Sequence, residues 1–388
     1  MSTVTGTHPF ISFDFTTKRI DPRTWLLLGE TMSKCQHLAG SPLKPGAAKH
    51  LMSVYLARGV QATTAIEGNT LSDDEVQKIV DSGSADVHES RTYLEREVQN
   101  VLSVIREMDE CLQSGRHQPI TAERLRVLNR KVLEGIPDKP EVVPGEYRQH
   151  DVTAGPYKAP HWPEVPGLVD DLVQWLEGLR SGVGTSSEDR FVVAVLSAIL
   201  AHLYIAWIHP FGNGNGRTAR LVEVQILSES GVVPLVATNL LSDHYNKTRN
   251  AYYLALDAAR EDVGAFIQYA VLGLAGELRD QIALVRRESL DIHWESYVYE
   301  EFRSKPSTEA RDRQRLLALE LPSDRSVTPS DIVVLTPELA RRYAKCGERT
   351  PARDLNDLVK MGLAAREGRR SYFARRHIIE AFVPPVSN

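Results

Sequence analysis

From Phe191 to Ile208 the chain reads FVVAVLSAILAHLYIAWI, eighteen residues without one charged side chain. Length and polarity alone admit a membrane span or a helix buried on all sides. The buried helix is the expectation, for three reasons. His202 interrupts the apolar run, no basic cluster flanks it to set an orientation, and there is no second stretch of the kind. The run also ends at His209-Pro210, where proline forbids continuation, and passes into a glycine-rich loop suited to a water-soluble anion.

A helix buried on every side needs other helices around it, and 388 residues allow a large helical core plus a smaller domain. A net charge of −5 excludes a chain that binds nucleic acid along its whole surface. Cys35, Cys111 and Cys346 are odd in number and widely spaced, without disulfide or metal-ligand pattern, which fits a reducing, cytoplasmic setting. The opening MSTVTGTHPFISFDF lacks a basic region followed by an apolar run, so no secretory signal and no membrane partner are expected.

Helical periodicity marks residues 47–61, 93–114, 118–135, 164–179, 188–208, 218–230, 245–260, 263–274 and 276–302. Ser72 with Glu75 predicts a capping box, and Thr121 an N-cap. Residues 137–160, rich in Pro and Gly, predict an irregular segment with a small hairpin. After a connector, Thr336-Pro337 and Thr350-Pro351 predict N-cap and N1 pairs of two short helices, Gly362 ends the second, and a hairpin turns at Gly368. The expected architecture is mainly α with a small β-hairpin, plus a C-terminal winged helix-turn-helix. The expected regions are 1–110, a catalytic core over 111–303, and a connector with the winged module over 304–388.

The loop HPFGNGNGRTAR is where chemistry concentrates. Gly212, Gly214 and Gly216 let backbone approach a ligand, and the amides of the helix beginning near Arg217 form an anion site. Arg217 and Arg220, three residues apart, add two forked cations, a set suited to a polyphosphate. His209 at the mouth is the expected general base. Asn213 is the expected Mg²⁺ ligand against the phosphates, Asn215 a donor to a phosphoryl oxygen, and Phe211 an inward anchor. It is not a Walker loop, because the Gly-Lys-Ser/Thr ending is absent.

This segment resembles the signature of the Fic (filamentation induced by cAMP) family: His, any residue, Phe, any residue, Asp or Glu, Gly-Asn-Gly-Arg, two residues, Arg. His209, Phe211, Gly214, Asn215, Gly216, Arg217 and Arg220 meet it, and Asn213 departs from it at the acidic position. The resemblance implies a Fic-type helical core and a protein adenylyltransferase that moves AMP from ATP to a Ser, Thr or Tyr hydroxyl of a target protein, or of itself. Gly216 stands where the related Doc-like branch carries Lys, so nucleotide transfer rather than phosphorylation is implied.

The same resemblance makes Gly145–Lys158 the target-docking flap, with Arg148, Tyr157 and Lys158 as solvent-facing contacts. It puts adenine and ribose near Ser242, Tyr245, Asn250 and Tyr253. TTAIEGN resembles the family's inhibitory motif, met by Thr63, Glu67 and Gly68, with Glu67 expected to pair with Arg220. From composition alone that segment is a helix end with Gly68 as C-cap.

A second class of function is a DNA-binding transcription regulator whose core senses nucleotide. Residues 341–388 hold eleven Lys or Arg against five Asp or Glu. Arg366, Arg369, Arg370, Arg375 and Arg376 lie on and beyond the expected wing, and Arg353 and Lys360 on the expected recognition helix. Basic winged helices also serve as protein-binding or homodimer modules, so DNA and a second copy of the chain are both candidate partners.

Overall fold

The computed structural model describes residues 8–41, 43–181, 184 and 186–380. Residues 1–7 of the expected N-terminal region and 381–388 of the expected C-terminal module lie outside them. The protein is mainly helical. It divides into one unit of Met1–Ser41 and Pro45–Ala283 and another of Pro42–Lys44 and Leu284–Asn388, so the division falls short of the expected boundary at residue 303.

Local signals start several helices of the first unit. Asp21 accepts from the amides of Arg23 and Thr24 to begin α1 (Pro22–Gly40), which is followed by α2 (Pro45–Ala65). Ser72 and Glu75 form the capping box of α3 (Asp73–Ser82). In α4 (Thr92–Gln113), Leu94, Val98, Val101 and Met108 are buried along one stripe. Thr121 caps α5 (Ala122–Val132). The irregular segment carries a hairpin of β1 (Thr153–Ala154) and β2 (Tyr157–Lys158), with Thr153 opposite Lys158 and Ala154 opposite Tyr157.

The apolar run is the centre of this unit. α6 (Val165–Ser181) precedes it; α7 (Ser187–Ile208) packs on α6 and on α8 (Asn215–Glu229). Among the described residues α7 alone is long and apolar enough to cross a membrane, and every residue from Val195 to Ile205 is buried inside the unit. His202, fully buried, is satisfied by the Tyr252 hydroxyl at 2.8 Å and Glu223 Oε2 at 3.3 Å.

Two expectations change here. The stretch 245–260 is not one helix: α9 (Leu240–Lys247) and α10 (Arg249–Ala258) break at Thr248. Residues 263–302 are not two: α11 (Val263–Arg303) runs through Gly276, supplying residues to both units. An interior glycine costs a helix only about 1 kcal/mol, which the buried Leu274, Ala275 and Leu278 around it offset.

In the second unit, α12 (Glu309–Glu320), α13 (Ile332–Leu335), α14 (Pro337–Tyr343) and α15 (Thr350–Lys360) precede an antiparallel hairpin of β3 (Ala364–Glu367) and β4 (Ser371–Ala374). Val327 joins it by exchanging both backbone hydrogen bonds with Tyr372 at 2.8 Å. Trp294, Leu317, Ile332, Leu339, Leu355 and Tyr372 share its core. Buried Asp354 is met by Arg313 Nε at 2.8 Å and the Tyr343 hydroxyl at 3.1 Å. Thr336 caps α14 as expected, whereas Thr350 is already the first residue of α15 and makes no cap.

Candidate active site

His209 terminates α7 in the left-handed region, φ 49° and ψ 59°, which a non-glycine residue rarely adopts. Its amide still reaches Ile205 O, and the side chain is turned out of the helix into a cleft. Ring Nδ1 lies 3.3 Å from Ala206 O. A carbonyl only accepts, so Nδ1 carries the proton and Nε2 keeps its lone pair. Burial holds the imidazole below its ordinary pKa; the Ala206 carbonyl and Glu67 oppose this, and Arg148 adds to it. The ring is therefore neutral at neutral pH, as a base must be.

The loop beyond His209 is braced from inside. Phe211 is buried, and its backbone N–H donates to Asn215 Oδ1 at 2.9 Å while its carbonyl accepts from Asn215 Nδ2 at 2.8 Å. The Asn215 side-chain amide thus braces the loop through its oxygen and one of its two N–H donors. Gly214, at φ 75°, enters α8 in a conformation costly to any residue with a Cβ. Asn129, fully buried on α5, donates to Asn213 O at 2.9 Å and accepts from the Gly145 amide at 3.0 Å, tying motif loop to flap.

At the start of α8 the backbone amides lack intrahelical partners and point outward. Glu67, in the turn after α2, lies against this spot: a methyl group on Gly216 would collide with Glu67 Oε1. The same oxygen accepts from Arg220 at 2.7 Å, and Arg220 also donates to Thr63 Oγ1 at 2.6 Å and Thr63 O at 2.9 Å. Arg220 is buried, while the Glu67 side chain is 28% exposed through the cleft. Burial opposes ionisation of Glu67, but Arg220, Arg217 and His209 prevail and hold its carboxyl below the usual range. Arg217 is buried too, with NH1 on Glu97 Oε1 at 2.8 Å.

The cleft has a volume of about 660 Å³, enough for a ligand of nucleotide size. Its walls are His209, Gly216, Arg220, Glu67 and Ile66 on one side, the flap residues Ala154–Tyr157 on another, and Tyr252, Tyr253, Leu254 and Arg260 on the third. Of the expected nucleoside contacts only Tyr253 lines it, half-exposed. Tyr245 is fully buried in the core with its hydroxyl on Glu223 at 3.0 Å; Ser242 is buried beside it, and Asn250 is exposed outside the cleft. The break at Thr248 turns Ser242 and Tyr245 on α9 toward the core and leaves α10 to line the cleft through Tyr252, Tyr253 and Leu254.

The flap residues differ as much. Arg148 is not solvent-facing. Its buried guanidinium donates to His209 O at 2.8 Å, His150 O at 3.0 Å and Pro160 O at 2.6 Å, making it the floor of the motif loop. Tyr157 is half-buried, with its hydroxyl on Trp207 O at 2.7 Å and Arg260 4.8 Å above its ring. Lys158 is exposed, its carbonyl in contact with the His8 imidazole.

Asn213, the expected metal ligand, is engaged by its neighbours. Its Oδ1 accepts from the Gly214 amide at 2.6 Å, which engages one lone pair, and Arg217 NH2 lies a more distant 3.4 Å away. Its Nδ2 donates to the carboxylate of exposed Asp138. Mg²⁺ takes one or two protein carboxylates and completes its shell with phosphate and water. Asp138 beside Asn213 fits that chemistry, although no group of three or more acidic, His or Cys ligands occurs among the described residues. Asn129, Asp138, Arg148 and Glu97 act across long sequence separations, which no local pattern signals.

With this geometry in hand, likeness to known proteins is specific. Residues 119–227 match the model of the Fic/DOC family. The protein adenylyltransferase fic-1 of Caenorhabditis briggsae is 30% identical over 286 residues, 73% of this chain and 50% of that protein. The protein of the same name from Caenorhabditis elegans is 30% identical over 237 residues, 60% and 42% respectively. The chain thus spans about half the length of the curated relatives it matches. A Fic family protein from Desulfovibrio desulfuricans shares the fold with a TM-score of 0.56 at 20% identity, over 93% of this chain and 97% of that one. Residues 119–227 of the chain are thus a domain of the Fic/DOC family.

Proposed function

We propose that this protein transfers AMP from ATP to a Ser, Thr or Tyr hydroxyl of a protein, itself included. The observation that carries the reading is the meeting, in one cleft, of a His209 whose Nε2 keeps its lone pair, the amide end of α8 and Arg220. In the step, the target oxygen attacks the α-phosphorus of ATP and its proton passes to His209 Nε2. The new O–P bond forms as the bond from the α-phosphorus to the bridging oxygen breaks, and pyrophosphate leaves. The α8 amides stabilise charge on the transferred phosphoryl group, and Arg220 takes an outer phosphate. Tyr252 and Tyr253 wall the nucleoside side, and the Tyr157 edge of the flap carries the target. Asp138, with Asn213 orienting it, would hold Mg²⁺, which when bound neutralises charge on the departing pyrophosphate. A cytoplasmic location belongs to the same reading and rests on three free cysteines.

Glu67 is the inhibitor in this proposal. Its carboxylate occupies the Arg220 fork and the α8 amide site together, so a triphosphate cannot use either without displacing it. The test is incorporation of labelled AMP from ATP and Mg²⁺ by wild type, Glu67→Gly and Glu67→Gly/His209→Ala proteins. Label that persists without His209, or is absent from Glu67→Gly, overturns the reading.

A second activity has its own support. The second unit has the helix, helix and hairpin order of a winged helix-turn-helix, and Arg366, Arg369 and Arg370 are exposed on and around the β3–β4 turn, with Arg353 exposed on α15. Arg376 is set apart from these, being engaged by Asp291 and Leu319 O. We propose duplex DNA as the ligand of this face. Mobility of duplex DNA with the full chain, and with Arg366, Arg369 and Arg370 changed to Glu, tests it; no retardation even at low salt overturns it.

A further inference from the structure

The two arginines of the motif are held by different carboxylates in different ways. Glu67 projects into the cleft, but Glu97 on α4 does not line it. Glu97 takes one Arg217 nitrogen, NH1 at 2.8 Å, and its other oxygen accepts from Asn69 Nδ2 at 2.9 Å. Asn69 is itself fixed, donating to Leu94 O at 2.9 Å and accepting from the Leu71 amide at 3.0 Å. Arg217 is 3% exposed, NH2 has only the distant Asn213 Oδ1 at 3.4 Å, and buried Nε has no partner. A buried guanidinium with an unmet donor is costly unless an anion completes it. On the first turn of α8, at the expected phosphate position, the anion that would do so is a nucleotide phosphate.

We infer that Glu97 is the positioning residue for Arg217: held by Asn69, it fixes the guanidinium by one nitrogen so that Nε and NH2 are presented to the outer phosphates of a nucleoside triphosphate. The inference rests on reading the cleft as a triphosphate site. Glu97 differs from Glu67 in direction. Loss of Glu67 frees an arginine, whereas loss of Glu97 releases one from its aim.

The experiment compares ATP and AMP dissociation constants by calorimetry for Glu67→Gly, Glu67→Gly/Glu97→Ala and Glu67→Gly/Glu97→Gln, with circular dichroism to confirm folding. Expected is a weakening of ATP binding by at least about tenfold in Glu97→Ala, less in Glu97→Gln, which keeps an acceptor oxygen, with AMP affinity unchanged because AMP lacks the outer phosphates. Asn69→Ala should shift ATP affinity in the same direction. Equal ATP affinities, tighter ATP binding, or parallel loss of ATP and AMP would each overturn the inference. AMP transfer is measured on the same proteins. The expected binding pattern without transfer sinks the transferase reading and leaves Glu97 standing, whereas intact transfer with unchanged ATP affinity sinks Glu97 alone.

Discussion

Glu67 and Arg220 lie 153 positions apart in the chain, yet their carboxylate and guanidinium meet at 2.7 Å in the wall of the cleft that holds His209. The contact has a direct consequence. Arg220 gives Nε and NH2 to Thr63, and the same NH2 also donates to Glu67, so Glu67 holds a donor that a phosphate would otherwise take. Replacing Glu67 with Gly should therefore raise the initial rate of AMP incorporation by roughly 10- to 100-fold, the scale on which misplacing a reacting group matters. Arg220→Ala, which removes lock and ligand together, should not. Equal rates for folded wild type and Glu67→Gly at the same ATP concentration would remove Glu67 from the account.

The pH dependence follows from the burial of His209. The base works only when deprotonated, so rate is lost as pH falls through its pKa. Burial lowers that pKa while the Ala206 carbonyl and Glu67 raise it. Glu67→Gly deletes one of the raising influences, moving the value further down. The acid limb of kcat/KM, which reports the free enzyme, should lie below the ordinary histidine value of about 6.5 in Glu67→Gly. An acid limb above that value would mean that burial does not govern the base.

How far the sequence led depends on whether a feature is local. His209 to Arg220 form one unbroken stretch, and the caps at Ser72, Thr121 and Thr336 each lie within three residues of their partners, so all of these were readable. The Glu67–Arg220 pairing came from resemblance to the family, not from spacing. Arg148 was misread because a cation in a Pro/Gly-rich segment looks solvated until the carbonyls it satisfies are seen. Tyr245 was placed near the nucleoside by resemblance, whereas an aromatic at helical spacing is more often core, and it is fully buried there. Asp138 and Glu97 were invisible for a simpler reason: isolated acidic residues on ordinary segments acquire meaning only from what folds against them.

Asp138 and Asn213 can be told apart as sources of cation affinity. Asp138→Asn should weaken Mn²⁺ binding in the presence of ATP by about tenfold or more, read by electron paramagnetic resonance of the free ion. Asn213→Asp, which restores a carboxylate at the motif position, should tighten it. Mn²⁺ affinity unaltered by Asp138→Asn would return the metal to the motif residue alone.

Arg148 offers a prediction that separates support from contact. It is buried and bonded to carbonyls; the nearest carboxylate, that of Asp151, is 4.0 Å away. Burial accordingly lowers its pKa, with Asp151 opposing, but a guanidinium stays charged at neutral pH. Arg148→Ala leaves the carbonyls of His209, His150 and Pro160 without that donor, at a cost of about 3 kcal/mol. For a domain of this size that corresponds to a fall in Tm of roughly 5–10 °C. Arg148→Lys should rescue little, because an ammonium group cannot span three carbonyls as a planar fork does. Catalysis should suffer beyond stability, since one of the three bonds holds the backbone that sets His209 in its left-handed conformation. Measured well below Tm, transfer by Glu67→Gly/Arg148→Ala should therefore fall in kcat while ATP affinity changes little. A variant that loses ATP affinity instead, at unchanged Tm, would show that Arg148 meets the ligand rather than the loop.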